Sequence, residues 1–423
     1  MKISCHTHYF VQPTQYLVIH RMLCRGSLAC QAPSAWIAIE EQRGENMTHG
    51  SIGPLLAADE SFNHQIVDTF ATVSQSDYSW TEKVCGMAAA RDGSLSIGFG
   101  FGKYANRNIV DGYGGASRGV QQWTVRASRE LASAPESIDV GPLRYEIVEP
   151  LKTIRVILEP NHVQPVAFDL LLEGGAPCVL EEREDRRTLT GYRHTANQVR
   201  YHQTGTASGW VEVQGKRVEV RPESWVMTRD HSWGIRPDVG LPIPDLVPDP
   251  VDGSGQKVLA VWNPLFFQLP DGSTYAFHQY FLEYSSPGFA HRRMQGGFEY
   301  ADGRRELIVA IEPRLRFNPL NKRLLGGEFH LRMADGSERV LSAEAISDTG
   351  FHLGAGLYHG FEGRHHGSWR GRLDVDGEYF ADCSTPESVA RLNQFRDCII
   401  RVHDHSTGAT GWGNCQTYVS AVP

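Results

Sequence analysis

The chain is punctuated by short turns that each place a glycine beside an acidic or polar residue, and this rhythm constrains the fold more than any other feature. "RDGS" (91–94), "QGKR" (214–217), "PDGST" (270–274), "YADGRR" (300–305), "ADGSE" (334–338) and "VDGEY" (375–379) all have the form of hairpin turns in which glycine supplies a positive φ. Between them run strand-length segments with period-2 character, such as "SLSIGFGFGKY" (94–104), "GVQQWTVRA" (119–127), "KTIRVILE" (152–159) and "VAFDLLLEG" (166–174). Glycines inside strands, as in "GFGFG", mark bends and close backbone approach. Long amphipathic helices are absent; "TPESVARLNQF" (385–395) is the one good short helix, with Thr385 as N-cap, Pro386 in the first turn and Glu387 at the positive dipole end. The expected fold is all-β.

A chain of 423 residues exceeds what a single core usually organises, so two domains are expected. Five prolines between Pro237 and Pro250 rule out a central strand or a helix there. This segment, 237–257, reads as a connector between a first β domain (47–236) and a second (258–423). Residues 1–46 differ from the rest: the apolar run "YLVIHRMLC" is broken by His20 and Arg21, so a secretory signal is unconvincing, and a poorly ordered extension is expected. "HSWGIRPDVG" (231–240) and "GSWRGRLDVDG" (367–377) share a Ser-Trp pair, a glycine, an arginine and an Asp-Val step, which fits a duplication.

A formal charge of -8 argues against phosphate-driven nucleic-acid binding. No stretch approaches the roughly 20 apolar residues that span a bilayer. The eight cysteines lack zinc-type spacing, so reduced thiols and a cytoplasmic location are expected. There is no phosphate-cradling loop, no His-Glu-x-x-His helix and no Gly-x-Ser-x-Gly elbow, and "GFGFG" lacks the helix that a dinucleotide fingerprint needs.

What remains are polar-aromatic clusters. In "TRDHSWGIRP" (228–237), strand alternation puts Asp230 and Ser232 on one face and Arg229, His231 and Trp233 on the other. A histidine beside an indole inside an apolar barrel can move a proton to or from carbon while the indole faces developing positive charge. The same residues also read as the packed end of a strand. "YHGFEGRHHGSWRG" (358–371) is a second cluster, with His359, His365, His366 and Trp369. It lacks a clear third and fourth metal ligand, so no metal is expected. "TYAFHQYF" (274–281) puts Tyr275 on one strand face and His278 and Tyr280 on the other, as pocket lining or as aromatic core.

The Asp-His-x-Trp-Gly string at 230–234, the glycine-rich β pattern around it, "HGFEG" followed by "HGSWRG", and the terminal "GWG" at 411–413 resemble the lipocalin-like superfamily of carotenoid 1,2-hydratases, survival-factor-like proteins and fungal cyclases, and within it an uncharacterised bacterial branch. The resemblance implies two consecutive lipocalin-like antiparallel barrels packed together around a pocket for a large apolar molecule. It implies an active site at His231 and Trp233, with Asp230 or His231 as proton donor and Trp233 as cation stabiliser; the strand and cluster readings add Arg229, Tyr275, His278, Tyr280, His366 and Trp369 as expected substrate contacts. The hydratases' second pair, Tyr-x-Asp, is not matched: Tyr275 is followed two places on by Phe277. Two functions are therefore expected as alternatives: a cofactor-independent hydratase, lyase or isomerase acting on a terpenoid-, steroid- or polyketide-like substrate, or a non-catalytic binder of a hydrophobic ligand.

Overall fold

The computed structural model describes residues 55–64, 75–188, 192–244, 257–286 and 289–420. The expectations for residues 1–46 and for the middle of the connector, 245–256, lie outside them.

Hairpin follows hairpin in the first half. β1 (Trp80–Ala90), β2 (Ser96–Tyr104), β3 (Ile109–Arg118) and β4 (Gln121–Glu130) form a meander. Next come β5 (Leu143–Glu149), β6 (Thr153–Leu158), β7 (Val166–Gly174), the short β8 (Val179–Leu180) and β9 (Glu184–Arg187), β10 (His194–Val213), β11 (Lys216–Val220) and β12 (Trp225–Ile235). The second half holds β13 (Lys257–Gln268), β14 (Thr274–Ser286), β15 (Phe289–Glu299), β16 (Arg305–Phe317), β17 (Leu324–Met333) and β18 (Glu338–Ala345). It ends with β19 (Phe351–His352), β20 (Leu373–Phe380), α1 (Pro386–Leu392), β21 (Arg396–Asp397), β22 (Ile399–Asp404), β23 (Thr410–Asn414) and β24 (Gln416–Val419). Thr385 caps α1 by accepting from the Ser388 N–H at 3.2 Å, as its sequence signature predicts.

The architecture is all-β, with two barrel-like antiparallel sheets packed together. One sheet follows the order β20-β4-β3-β2-β1-β12-β10-β7-β6-β5 and curls around a core that includes Phe99, Phe101, Val125, Phe168 and Met227. The other runs β14-β15-β16-β17-β18-β22-β23-β13, and β13 pairs back onto β14, so this sheet closes into a ring around Phe277, Phe298, Phe329 and Leu341. Closure leaves no exposed edge at that seam. Met87, Ala89, Val226, Phe266 and Ile399 pack between the two sheets.

Five of the six glycine turns join successive strands; at "RDGS", Gly93 has φ 77°. "VDGEY" differs. Gly377 lies inside β20, opposite Val125 of β4, where an added Cβ would sit 2.5 Å from the Thr124 carbonyl oxygen. This glycine serves close strand approach rather than a turn, and it allows a strand from the second half of the chain to join the first sheet. The two Ser-Trp segments also occupy different settings: Trp233 ends a strand, whereas Trp369 lies in irregular backbone and is 59% exposed.

Candidate active site

The wall formed by β1, β12 and β10 carries the chemistry. Register pairs Val84 with His231 and Gly86 with Arg229 across β1 and β12, and Tyr201 with His231 and Gln203 with Arg229 across β10 and β12. Residues directly opposite share a face, so Glu82, Tyr201, Gln203, Arg229, His231 and Trp233 point into the first barrel. A 3-10 turn, Ala57–Glu60, and the residues after it add Glu60, Phe62 and His64 to the same lumen.

Deepest is a compensated ion pair. Arg229 donates to both Glu60 oxygens at 2.6 and 2.9 Å and through Nε to Gln203 at 2.9 Å. Glu60 also accepts from the Tyr201 and Tyr145 hydroxyls at 2.9 and 3.2 Å and from the Leu151 N–H at 2.6 Å. Burial alone would raise the Glu60 carboxyl, but the Arg229 guanidinium overrides it and holds the group below its ordinary value.

Above this pair runs a line of titratable groups. The Tyr201 hydroxyl lies 3.1 Å from His231 Nδ1, and His231 Nε2 lies 3.4 Å from Glu82 Oε1. The same Glu82 oxygen is 2.5 Å from His64 Nδ1, and His64 Nε2 is 3.2 Å from Asp59 Oδ1. His231 is fully buried, while His64 is 15% and Asp59 27% exposed at the side chain, so the line runs from the lumen toward solvent. Burial would raise Glu82, yet hydrogen bonds from His231 and His64 keep it low; burial would lower His64, yet Glu82 and Asp59 raise it. Phe62 stacks on His231 at 5.0 Å and Trp233 on His64 at 3.7 Å, fixing both imidazoles. Phe62 also lines a neighbouring cavity of about 630 Å³, in which an apolar patch of Phe62, Ile138, Tyr145 and Ile147 is flanked by Lys103, Glu136 and Asp139.

The sequence-predicted residues separate. Arg229, His231 and Trp233 meet in the lumen. Asp230 faces the opposite way, toward Cys85 on β1, and burial raises its carboxyl above the ordinary value. Tyr275 lies inside the second barrel and donates to Asp404 at 2.8 Å. His278 sits between the sheets, stacked on His202 at 3.8 Å; burial and that neighbour push it down to about 4, while Glu299 and Glu181 overcome burial to hold His202 at about 9. Tyr280 is half-buried near Arg293. His366 is on the outer face against Lys83, and Trp369 faces solvent. Sequence reasoning missed Glu60, His64, Glu82 and Tyr201. A signal existed: "ADESFNH" (58–64) is a dense acid-aromatic-histidine string without strand period, and "TEKVCGMAAA" (81–90) buries two charges in an apolar strand.

Among the described residues, two groups bring three ligand atoms within 4.8 Å of one another and could hold a metal ion: His64, Glu82 and His231, and Glu181, His202 and His278. The histidines of "YHGFEGRHHGSWRG" belong to neither.

Several solved structures are similar to the chain at low identity. An AttH-like protein of Nitrosomonas europaea is 11% identical with a TM-score of 0.47, covering 81% of this chain and 93% of that one. Kievitone hydratase of Nectria haematococca is 11% identical with a TM-score of 0.37, covering 88% and 98%. CghA with Sch210972 is 11% identical with a TM-score of 0.45, covering 88% and 95%. No curated protein matches the sequence. Residues 55–414 match the model of a family of unknown function (DUF8625), and the chain belongs to that family.

Proposed function

We propose that the first barrel is the active site of a cofactor-independent hydratase, lyase or isomerase that transfers a proton to or from carbon in a large apolar substrate. The observation that carries this reading is the line Tyr201–His231–Glu82–His64–Asp59, hydrogen-bonded except at the 3.4 Å His231–Glu82 contact, beside a cavity with an apolar patch. His231 gives its proton to an alkene or enol carbon of a terpenoid-, steroid- or polyketide-like molecule held against Phe62, Ile138 and Ile147. Glu82 and His64 pass a replacement inward from the half-exposed Asp59. In a hydration, water adds its hydroxyl to the second carbon and its remaining proton returns along the same line. Lys103 binds a polar end of the substrate at the cavity wall.

This reading moves the proton donor from the pair of candidates Asp230 and His231 to His231 alone, because Asp230 faces away from the cavity. Trp233 becomes a positioning residue, since one face of its indole is covered by His64. The free thiols of Cys85, Cys178, Cys383, Cys398 and Cys415 support a reducing, cytoplasmic setting.

The apolar patch of the cavity lining, Phe62, Ile138 and Ile147, also favours a second reading, a carrier that binds such a molecule without turnover. Native mass spectrometry of protein purified from its own host, followed by extraction and identification of the bound apolar molecule, supplies the compound for turnover assays. Conversion by wild type and its loss in His231→Gln, with ligand uptake retained, is the expected result. Wild-type rates in His231→Gln would dismiss the relay, and uptake without conversion by wild type would leave the carrier.

A further inference from the structure

The outer face of the same wall holds a buried amine that the lumenal reading does not use. Lys83 points away from the lumen, lies in register with Ser232 and is 2% exposed. Its Nζ is 2.7 Å from His366 Nε2 and 4.1 Å from the centre of the Tyr358 ring. Among the described residues no carboxylate forms an ion pair with it within 4.0 Å. Asp111, the nearest acid along this line, accepts from the Tyr104 hydroxyl at 3.0 Å and the Gly367 N–H at 2.7 Å, and lies 3.8 Å from His366 Nδ1. Lys83, His366 and Asp111 thus form a line of amine, imidazole and carboxylate, with the imidazole oriented to accept a proton from the amine.

This line opens on a pocket of about 140 Å³, lined among others by Tyr104, Arg236, Tyr358 and Phe395. Arg236 contacts Ser232 Oγ at 3.4 Å and, among the described residues, has no carboxylate ion-pair partner within 4.0 Å. Two cations lacking ion-pair partners therefore flank a space far too small for the lumenal substrate.

The geometry points to Lys83 as an imine-forming amine for a small carbonyl compound that carries a carboxylate, of the 2-oxo-acid class, with Arg236 holding the carboxylate. The Nζ lone pair attacks the carbonyl carbon and the C=O π pair moves to oxygen. His366 takes the proton from nitrogen and delivers it to that oxygen; a second proton transfer expels water as the C=N bond forms. Amine and carbonyl compound become imine and water, with no oxidant or reductant.

The test is reductive trapping of the full-length protein at pH 8 with pyruvate and cyanoborohydride, read by intact mass and peptide mapping. The expected result is one adduct, on Lys83, forming roughly tenfold or more ahead of exposed lysines such as Lys216 and Lys257. Labelling spread evenly over exposed lysines would overturn the assignment, and this comparison needs no variant. Arg236→Gln should slow trapping of pyruvate about tenfold more than that of propanal. Equal slowing of both, or of neither, would remove the carboxylate from the proposal.

Discussion

The lumenal pair Glu60–Arg229 and the outer-face amine Lys83, on opposite sides of the β1–β12–β10 wall, treat buried charge in opposite ways. In the lumen Glu60 meets Arg229 at 2.6 Å and Glu82 meets His64 at 2.5 Å; on the outer face Arg200 and His202 are paired too, with Glu181 and Glu299, each at 3.0 Å. Lys83 instead has a neutral imidazole at 2.7 Å. Desolvation costs a buried ion several kcal/mol unless a partner offsets it, so the paired groups form a fixed network. Lys83 is left as an ammonium that yields its proton readily. One strand motif feeds both faces, since Arg229, His231 and Trp233 go inward while Asp230 and Ser232 go outward.

Four single substitutions and one double variant sharpen or break this contrast. The largest effect belongs to His231→Gln, which should reduce turnover about 10²–10⁴-fold, roughly 3–5 kcal/mol, with an unchanged thermal melt; a rate within a few-fold of wild type would end the lumenal assignment. Arg229→Met strands the Glu60 carboxylate and should remove about 3–5 kcal/mol of stability in a denaturant titration. The double variant with Glu60→Met should recover much of that loss. A double variant as weak as the single would show that the pair is not coupled.

Lys83→Met comes third and has the opposite sign. The native amine titrates near 8, below its ordinary 10.5, so the folded state binds fewer protons than the unfolded chain between those values. Relative to Lys83→Met, wild-type stability should therefore gain about 3 kcal/mol as pH climbs from 8 to 10.5. An identical pH profile in both proteins would show that Lys83 is not held uncompensated. On the acid side the lumenal network behaves conversely: Glu60 and Glu82 sit below 4.5, so their contribution is complete above that value and fades as pH falls beneath it. The smallest effect is that of Trp233→Phe, about 0.5–1.5 kcal/mol from the weakened stack on His64, with turnover falling less than about tenfold. A collapse of turnover in this variant would restore the indole to direct contact with substrate.

Much of the fold was legible because its signals are local. Period-2 runs and glycine turns mark strands wherever the chain lies, and Thr385 and Pro386 mark the start of α1 whatever packs on it. "VDGEY" misled for the same reason: an Asp-Gly step looks alike in a turn and in a strand pressed against a neighbour, and only the β4 pairing tells them apart. The site was half legible. Alternation separated Asp230 from His231 correctly, but it did not say which face is enclosed.

That depends on how the sheet curls. Curling brings Glu60 against Arg229 across 169 positions, and the β10–β12 register sets Tyr201 against His231 across 30. The return of the second half of the chain to the first sheet sets His366 against Lys83 across 283. Side-chain facing along one strand follows from backbone geometry alone, so ten residues suffice to read it. Which charges meet, and whether each is paired, follows from strand register and sheet closure, which no local stretch contains.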